Sequence, residues 1–396
     1  MILNFDIIIV GKGLVGSAAA KYLSQSYESV AIIGPDEPKN NNSRLVYASH
    51  YDQARIQRII GKDEVWTRLN YDSVLQYNTI QNDSGIDFHK GVGCLYINPY
   101  GQDEYLRNFP ILAQTFNIEY SIFETNKDKS YSGLSFPEKS VGVFEPGPSG
   151  YINPRLLVEA QLKIYKNNGG DIFSDTVVDI SQPGRGNFTL KTESGKIYSA
   201  PKVLVATGSF MNHLNILPQK LKLKTKSEVV LLVKIEEELL SDYSSMPSLL
   251  YEIDEDETEG IYIVPPVKYP DGHYYLKIGA NSPFDIYFES LEQIQDWFSS
   301  GNGEKNAPSL HRAIHKIFPS LNLESVMTKK CIISRTETGR PYIGETSIAG
   351  LFLAGGCNGY SAMCSDAIGR VASNLIVKGA TPKNYHHKAF SIIYDG

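Results

Sequence analysis

One feature near the start of the chain constrains its fold more than any other. The apolar run Ile7-Ile8-Ile9-Val10 leads straight into Gly11-Lys12-Gly13-Leu14-Val15-Gly16, and the small-residue stretch Ser17-Ala18-Ala19-Ala20 follows. The apolar run reads as a buried strand, the G-x-G-x-x-G spacing as a tight turn, and the alanine-rich stretch as a helix. A unit of this kind cradles a dinucleotide. Gly11 permits the turn, Gly13 lets the backbone approach a pyrophosphate, and Gly16 lets helix and strand pack closely. The helix N-terminus at Leu14 and Val15 then offers free N–H groups and a partial positive charge to the phosphates.

The segment Ser29-Val30-Ala31-Ile32-Ile33 completes a βαβ unit. Such units commonly carry an acidic residue at the end of the second strand to hold the adenosine ribose. Gly34 occupies that place here, and Asp36, two residues later, is the candidate for the role. No arginine replaces it in a way that would suit a 2′-phosphate.

The chain has 396 residues, enough for a large core and two domains. Its net charge of −6 argues against a nucleic-acid partner, and no basic run interleaved with aromatics appears. No apolar stretch reaches membrane-spanning length, and the N-terminus reads as strand rather than signal peptide, so the expectation is a cytoplasmic protein with no membrane partner. Cys94, Cys331, Cys357 and Cys364 lack metal-ligand spacing and are too few for a disulfide framework, so no metal site is expected. The 25 tyrosines suit the aromatic walls of a pocket as well as ordinary core. The acidic run Asp254–Glu259 reads as a solvated hairpin loop.

Distant segments extend the first unit. Asn153-Pro154 reads as a helix N-cap and first helical residue, with the helix ending at Gly169-Gly170. The Val177-Val178 segment is β-rich. Lys202–Gly208 and Gly350–Gly356 read as buried strands ending in glycine, and Ser365-Asp366 as the cap of a helix running from Ala367 to about Lys378, stopped by Gly379. Two intervening stretches carry alternating β pattern, among them Glu228–Ile235 and Tyr274–Ile278. The expected architecture is α/β (α+β overall). A discontinuous Rossmann-type domain (residues 1–85, 146–217 and 330–396) is interrupted twice by an antiparallel-sheet substrate domain (86–145 and 218–329).

Taken together, the Gly11/Gly13/Gly16 turn, the strand ending Ala206-Thr207-Gly208 and the strand ending Gly355-Gly356 resemble the D-amino acid oxidase superfamily of FAD enzymes, and within it the sarcosine-oxidase-like branch. The resemblance implies bound FAD, with Val178, Gly208, Gly355, Gly356, Asn358, Gly359 and Tyr360 among its contacts. Ser49-His50-Tyr51-Asp52-Gln53-Ala54-Arg55-Ile56-Gln57-Arg58 resembles that branch's S-H-x-x-x-x-R-x-x-R segment. By that likeness Ser49 and His50 lie near the FAD phosphates, Arg55 sits against the flavin ring, and Arg58 grips a substrate carboxylate. Guanidinium suits that last task, being always charged and able to bind a carboxylate bidentately. On spacing alone, the two arginines could equally share the surface of a helix.

Lys277, in Tyr274–Gly279, matches the lysine with which that branch activates dioxygen, and Tyr262 matches an active-site tyrosine. Where the branch has a histidine four residues beyond the lysine, this chain has Asn281. Cys331 matches a cysteine that binds FAD covalently through the flavin 8α-methyl group. Some members lack it and bind FAD non-covalently, and both readings stay open here. Met363 stands where many members carry a lysine that completes the carboxylate clamp, which leaves Arg58, with Arg335 as a possible substitute. The resemblance implies an oxidase: hydride transfer from the carbon next to an amine to FAD, with dioxygen as the second substrate. The substrate would be a small amine or amino-acid-like molecule. The alternatives are a dehydrogenase or pathway-specific oxidoreductase acting on a larger amine with another acceptor, or a flavin-binding partner protein without turnover.

Overall fold

The computed structural model describes residues 2–38, 46–125, 133–184, 186–255, 258–300 and 302–396. The strand Ile7–Val10 forms as the sequence predicts, with all four residues buried. It lies inside a six-stranded sheet ordered Asp171–Phe173, Val30–Ile33, Ile7–Val10, Lys202–Val205, Leu351–Gly355, Tyr342–Glu345. The pairings are parallel except the last. Both faces are covered, which is why these strands are continuous apolar runs rather than alternating ones. On one face pack the helices Leu14–Leu23, Pro154–Asn167 and Ser361–Lys378. On the other lies a four-stranded sheet whose Phe188, Leu190, Tyr198 and Ala200 bury against Ile8, Val10, Val203 and Val205.

The alanines of the first helix have a packing reason. A side chain at Gly369 would overlap Ala18, so helices Leu14–Leu23 and Ser361–Lys378 cross almost backbone to backbone. Asn153 caps its helix, accepting from the Leu156 N–H, as its position before Pro154 predicts.

The C-terminal helix departs from expectation. It begins at Ser361, one turn before Ser365 and Asp366, and stops at Gly379 as predicted. Asp366 is not a cap. It is fully buried in the helix, where Lys21 Nζ (2.5 Å) and the Tyr22 hydroxyl (2.7 Å) donate to it. These two partners satisfy the carboxylate, and the chain turns into the helix instead through Asn358 and Gly359, both at positive φ.

A nine-stranded sheet forms the second layer. Its backbone is Leu223–Ile235, Tyr274–Asn281, Thr258–Lys268, Ser248–Glu255, Cys94–Asn98 and Val141–Glu145 in spatial order, and Val326–Thr336 pairs with Leu223–Ile235. It is antiparallel except where Ser248–Glu255 meets Cys94–Asn98. Those two strands come from separate insertions, so no hairpin dictates their direction. The expected boundary at residue 330 cuts the strand Val326–Thr336, which pairs along its length from Leu223↔Thr336 to Val233↔Val326. That strand therefore belongs to the nine-stranded sheet. Asp254–Glu259 spans the hairpin between Ser248–Glu255 and Thr258–Lys268, and residues 256–257 lie outside the described residues. Among the described residues, no helix is long and apolar enough to cross a membrane.

Candidate active site

Alternation along the strands builds the site. Cross-strand partners project to the same face. Glu228 lies opposite Cys331, Val230 opposite both Gly279 and Lys329, and Tyr262 opposite Gly279. By the period of two, Lys277 and Asn281 share that face. The intervening residues Val229, Leu231, Ile278 and Ile332 point the other way, into the core. One face of the large sheet is thus an ordinary hydrophobic layer, and the other presents Glu228, Tyr262, Lys277, Lys329 and Cys331 to a cavity of about 1240 Å³. Tyr47, Tyr51, Tyr96 and Tyr360 line it as well, accounting for part of the tyrosine excess.

A narrower cleft of about 170 Å³ runs alongside, under the glycine turn. Gly11, at φ +105°, leaves no room for a side chain beside the Ala206 carbonyl, and Gly16 none beside the Gly11 carbonyl. Gly13 differs: a Cβ there would meet only His50 Nδ1, at 3.7 Å. Gly13 is also the N-cap of Leu14–Leu23 and supplies no side-chain cap, so the first-turn N–H groups have no side-chain acceptor. Thr207 Oγ1 lines the cleft, buried and without a hydrogen-bond partner. Free donors, an orphaned hydroxyl and a glycine facing open space fit the diphosphate of a dinucleotide. Ser49, His50, Arg55, Cys331 and Gly359 line the cleft, with Gly208, Gly355 and Gly356 at its glycine-ended strands. Burial pushes His50 down to about 4, so it is neutral near pH 7.

Asp36 and Val178 do not line this cleft. Asp36 is largely exposed, with its carboxylate on Lys12. At Gly34, a side chain would overlap the Lys12 backbone, so no acidic residue fits the expected place. Val178 is replaced in the cleft by Val177: the strand bulges at this point, and the Val178 carbonyl accepts from the Asn215 N–H.

Cys331, Ser49, Arg55 and Gly359 border both spaces, so the cleft and the large cavity meet at the thiol. Arg55 lies on a short strand, Arg55–Gln57, not on a helix. Its guanidinium forms an ion pair with Asp52 and stands 3.9 Å from Cys331 Sγ. Asp52 also accepts from Lys277 Nζ (3.1 Å) and the Tyr269 hydroxyl (2.8 Å), and Lys277 donates to the Ala54 carbonyl. Burial first, then the cations Arg55 and Lys329, hold Lys277 well below the ordinary lysine range. Burial with Arg155 and Arg55 pushes Lys329 down to about 8.

Arg58 lies in the wall of the large cavity, its guanidinium 5.0 Å from the Tyr105 ring centre and 6.0 Å from that of Tyr360. Among the described residues no carboxylate forms an ion pair with it. Its loop is fixed from behind by Glu145, a buried carboxylate that accepts from the N–H groups of Ile59 (2.5 Å) and Ile60 (3.0 Å). Met363 lies in the first turn of the C-terminal helix and lines the cavity, adding no cation. Arg335 donates to Asn281 Oδ1 at 3.0 Å. Asn358 holds its turn, accepting from the Thr336 N–H and donating to the Gly356 carbonyl.

The sequence reading missed Asp52, Glu145, Glu228 and Lys329. Glu228 carried a signal, an acidic residue at the mouth of the run Val229–Val233, which is buried throughout. Glu145 carried none beyond its place at a strand end.

A dinucleotide cleft opening onto a polar cavity walled by a large sheet is the layout of a two-layer nucleotide-dependent enzyme. Comparison with known proteins makes the class specific. Residues 6–375 match the family DAO, FAD dependent oxidoreductase, and the chain belongs to that family of flavoenzymes. It is 22% identical over 382 residues to monomeric sarcosine oxidase of Bacillus sp. (strain NS-129), covering 96% of this chain and 94% of that one. It is 26% identical over 214 residues to N-methyl-L-tryptophan oxidase of Yersinia pestis (strain Pestoides F), over 54% of this chain and 56% of that one. In fold it is similar to NikD, an unusual amino acid oxidase essential for nikkomycin biosynthesis, in its open form. The TM-score is 0.77 at 15% identity, with 99% of this chain and 98% of that chain covered.

Proposed function

We propose that this enzyme oxidises a small amine or amino-acid-like substrate at the carbon next to nitrogen, with dioxygen as the final acceptor. The observation that carries this reading is the convergence of Arg58, Tyr262 and Lys277 on one cavity that meets the dinucleotide cleft at Cys331. FAD, when bound, accepts the hydride and returns the electrons to the acceptor. Gly13, Leu14, Val15 and Thr207 would hold its diphosphate, and Ser361–Met363, the uncapped start of the C-terminal helix, would face its ring with a positive dipole end.

Arg58 binds the anionic end of the substrate. Its guanidinium is held between aromatic rings with no carboxylate paired to it among the described residues, so its charge is available to an incoming one. Lys277 and Arg55 supply positive charge where oxygen is reduced, an arrangement that favours developing negative charge. A second reading, a dehydrogenase passing electrons to another acceptor, is favoured by Asp52, whose carboxylate occupies the Lys277 ammonium. Free thiols at all four cysteines support a reducing, cytoplasmic setting.

Anaerobic mixing of the yellow protein with a library of primary and secondary amines tests the reading. Bleaching followed by rapid re-yellowing in air is the expected result. Bleaching with slow re-yellowing points to the dehydrogenase. No bleaching by any amine leaves flavin binding without turnover.

We also propose that Cys331 is the covalent anchor of FAD, since it lies where the two spaces meet. Acid precipitation of the wild type is then expected to leave the yellow colour in the pellet, and Cys331→Ser to release it to the supernatant. Wild-type flavin wholly in the supernatant makes Cys331 an ordinary strand thiol.

A further inference from the structure

Glu228 is the one carboxylate on the cavity face of the central strand Leu223–Ile235, and its two oxygens are unequally used. Oε1 accepts from the Tyr262 hydroxyl at 3.2 Å. Oε2 is buried and faces Lys226. Lys226 Nζ stands 3.2 Å from Oε2 as an ion pair and also donates to Asn281 and Asp285. The charged and titratable groups around the carboxylate are Lys226 and Asp285 on one side, Tyr262 on Thr258–Lys268 two strands away, and Cys331 directly across the ladder. Lys277 lies further along the same face and is spent on Asp52. Lys226 is shared between two carboxylates, Glu228 and Asp285, so this group carries one negative charge in excess, and Glu228 brings it to the cavity wall.

We propose that Glu228 receives the positively charged nitrogen of the substrate, its carboxylate accepting an N–H, and so makes this cavity select protonated amines over neutral groups of the same shape. This rests on the amine-oxidising reading above and deepens it. The cavity then has two charged contacts of opposite sign, Glu228 for the cation and Arg58 for an anion, and the substrate class it favours is zwitterionic. Burial raises the proton affinity of Glu228 and Lys226 opposes it, so an arriving cation adds to the charge that keeps the carboxylate ionised. Tyr262 acts with it. Its ring lies over Gly279, where any side chain would overlap it, and this fixes the hydroxyl that holds Oε1.

The test uses two probes that cannot be oxidised, because neither has a hydrogen on the carbon bearing the polar group. They are 2-aminoisobutyrate and 2-hydroxyisobutyrate, equal in shape and carboxylate but differing in ammonium against hydroxyl. Each is titrated into the FAD-loaded protein at neutral pH, with perturbation of the flavin absorption spectrum as the readout. Wild type is expected to prefer the amino compound by roughly ten- to a hundred-fold, the scale of one charge-assisted hydrogen bond. Glu228→Gln keeps the size and the Tyr262 contact but not the charge, and should reduce the preference to within about two-fold. Tyr262→Phe should retain it, because the carboxylate remains, and Arg58→Ala should weaken both probes while leaving their ratio intact. A Glu228→Gln protein that keeps the wild-type preference overturns the proposal, as does a wild type that binds both probes equally or neither. If amines bleach the flavin while the preference is absent, only the role of Glu228 fails. If the preference is present while no amine bleaches the flavin, the oxidase reading fails and the cation site stands.

Discussion

Gly13→Val is expected to give a folded but colourless protein. In the structure, the Cβ direction of Gly13 points into the cleft, with His50 Nδ1 at 3.7 Å as the only neighbour, so the side chain fits when the cleft is empty. It fills the space a diphosphate needs and separates the phosphates from the N–H groups of Leu14 and Val15. Losing two charge-assisted hydrogen bonds, each worth about 1.5–3 kcal/mol, weakens binding by roughly a hundred- to ten-thousand-fold. Far-UV circular dichroism and thermal melting should match those of flavin-free wild type, while titrated FAD should not bind. Gly16→Val is the contrast. Its side chain would overlap the Gly11 carbonyl, so the strand–helix unit itself should fail to form. Normal FAD uptake by Gly13→Val would refute the placement of the diphosphate.

Lys277→Met should slow reoxidation of the reduced enzyme by air by roughly a hundred-fold or more, with a much smaller effect on anaerobic reduction by an amine. The reason is electrostatic: the Asp52 carboxylate favours the charged form of Lys277 against its burial, and an ammonium in a cavity wall acts on developing negative charge with little screening by water. Removing it also leaves Asp52 with Arg55 and the Tyr269 hydroxyl as its main partners, so the local charge becomes less positive. Arg58→Ala should do the reverse, slowing reduction and weakening substrate binding by roughly ten- to a hundred-fold with reoxidation little changed. Stopped-flow measurement of the two half-reactions separates the pair. If Lys277→Met reoxidises at the wild-type rate, the ion pair with Asp52 has removed the lysine from oxygen chemistry, and the dehydrogenase reading gains.

Local pattern carried a good deal of the architecture. The glycine turn, the paired strands at its sides and the Asn153-capped helix were all legible, because each depends on neighbours within a few residues. The C-terminal helix was misplaced by a turn for the same reason. Asp366 looks like a cap when only its neighbours are considered, but Lys21 and Tyr22, far away in sequence, pair with it inside the core. Asp36 has a partner of the same hidden kind, since nothing near it reveals that Lys12 holds its carboxylate.

Residue types and their spacing by themselves indicated a dinucleotide turn, buried strands ending in glycine and two β-rich insertions, and the family resemblance they carry pointed to Arg58, Tyr262, Lys277 and Cys331. Strand periodicity is a local property of the backbone, so the alternation that sends Val229 and Leu231 to the core and Glu228 to the cavity is already present in the sequence. Which face would be the cavity face was decided only by the fold, through the register of Leu223–Ile235 against Tyr274–Asn281 and Val326–Thr336. The electrostatics were decided there too. Asp52 meets Lys277 across 225 residues of chain, and Glu145 meets the Arg58 loop across 86. Charge interactions act through space and depend on burial, neither of which is set by proximity along the chain.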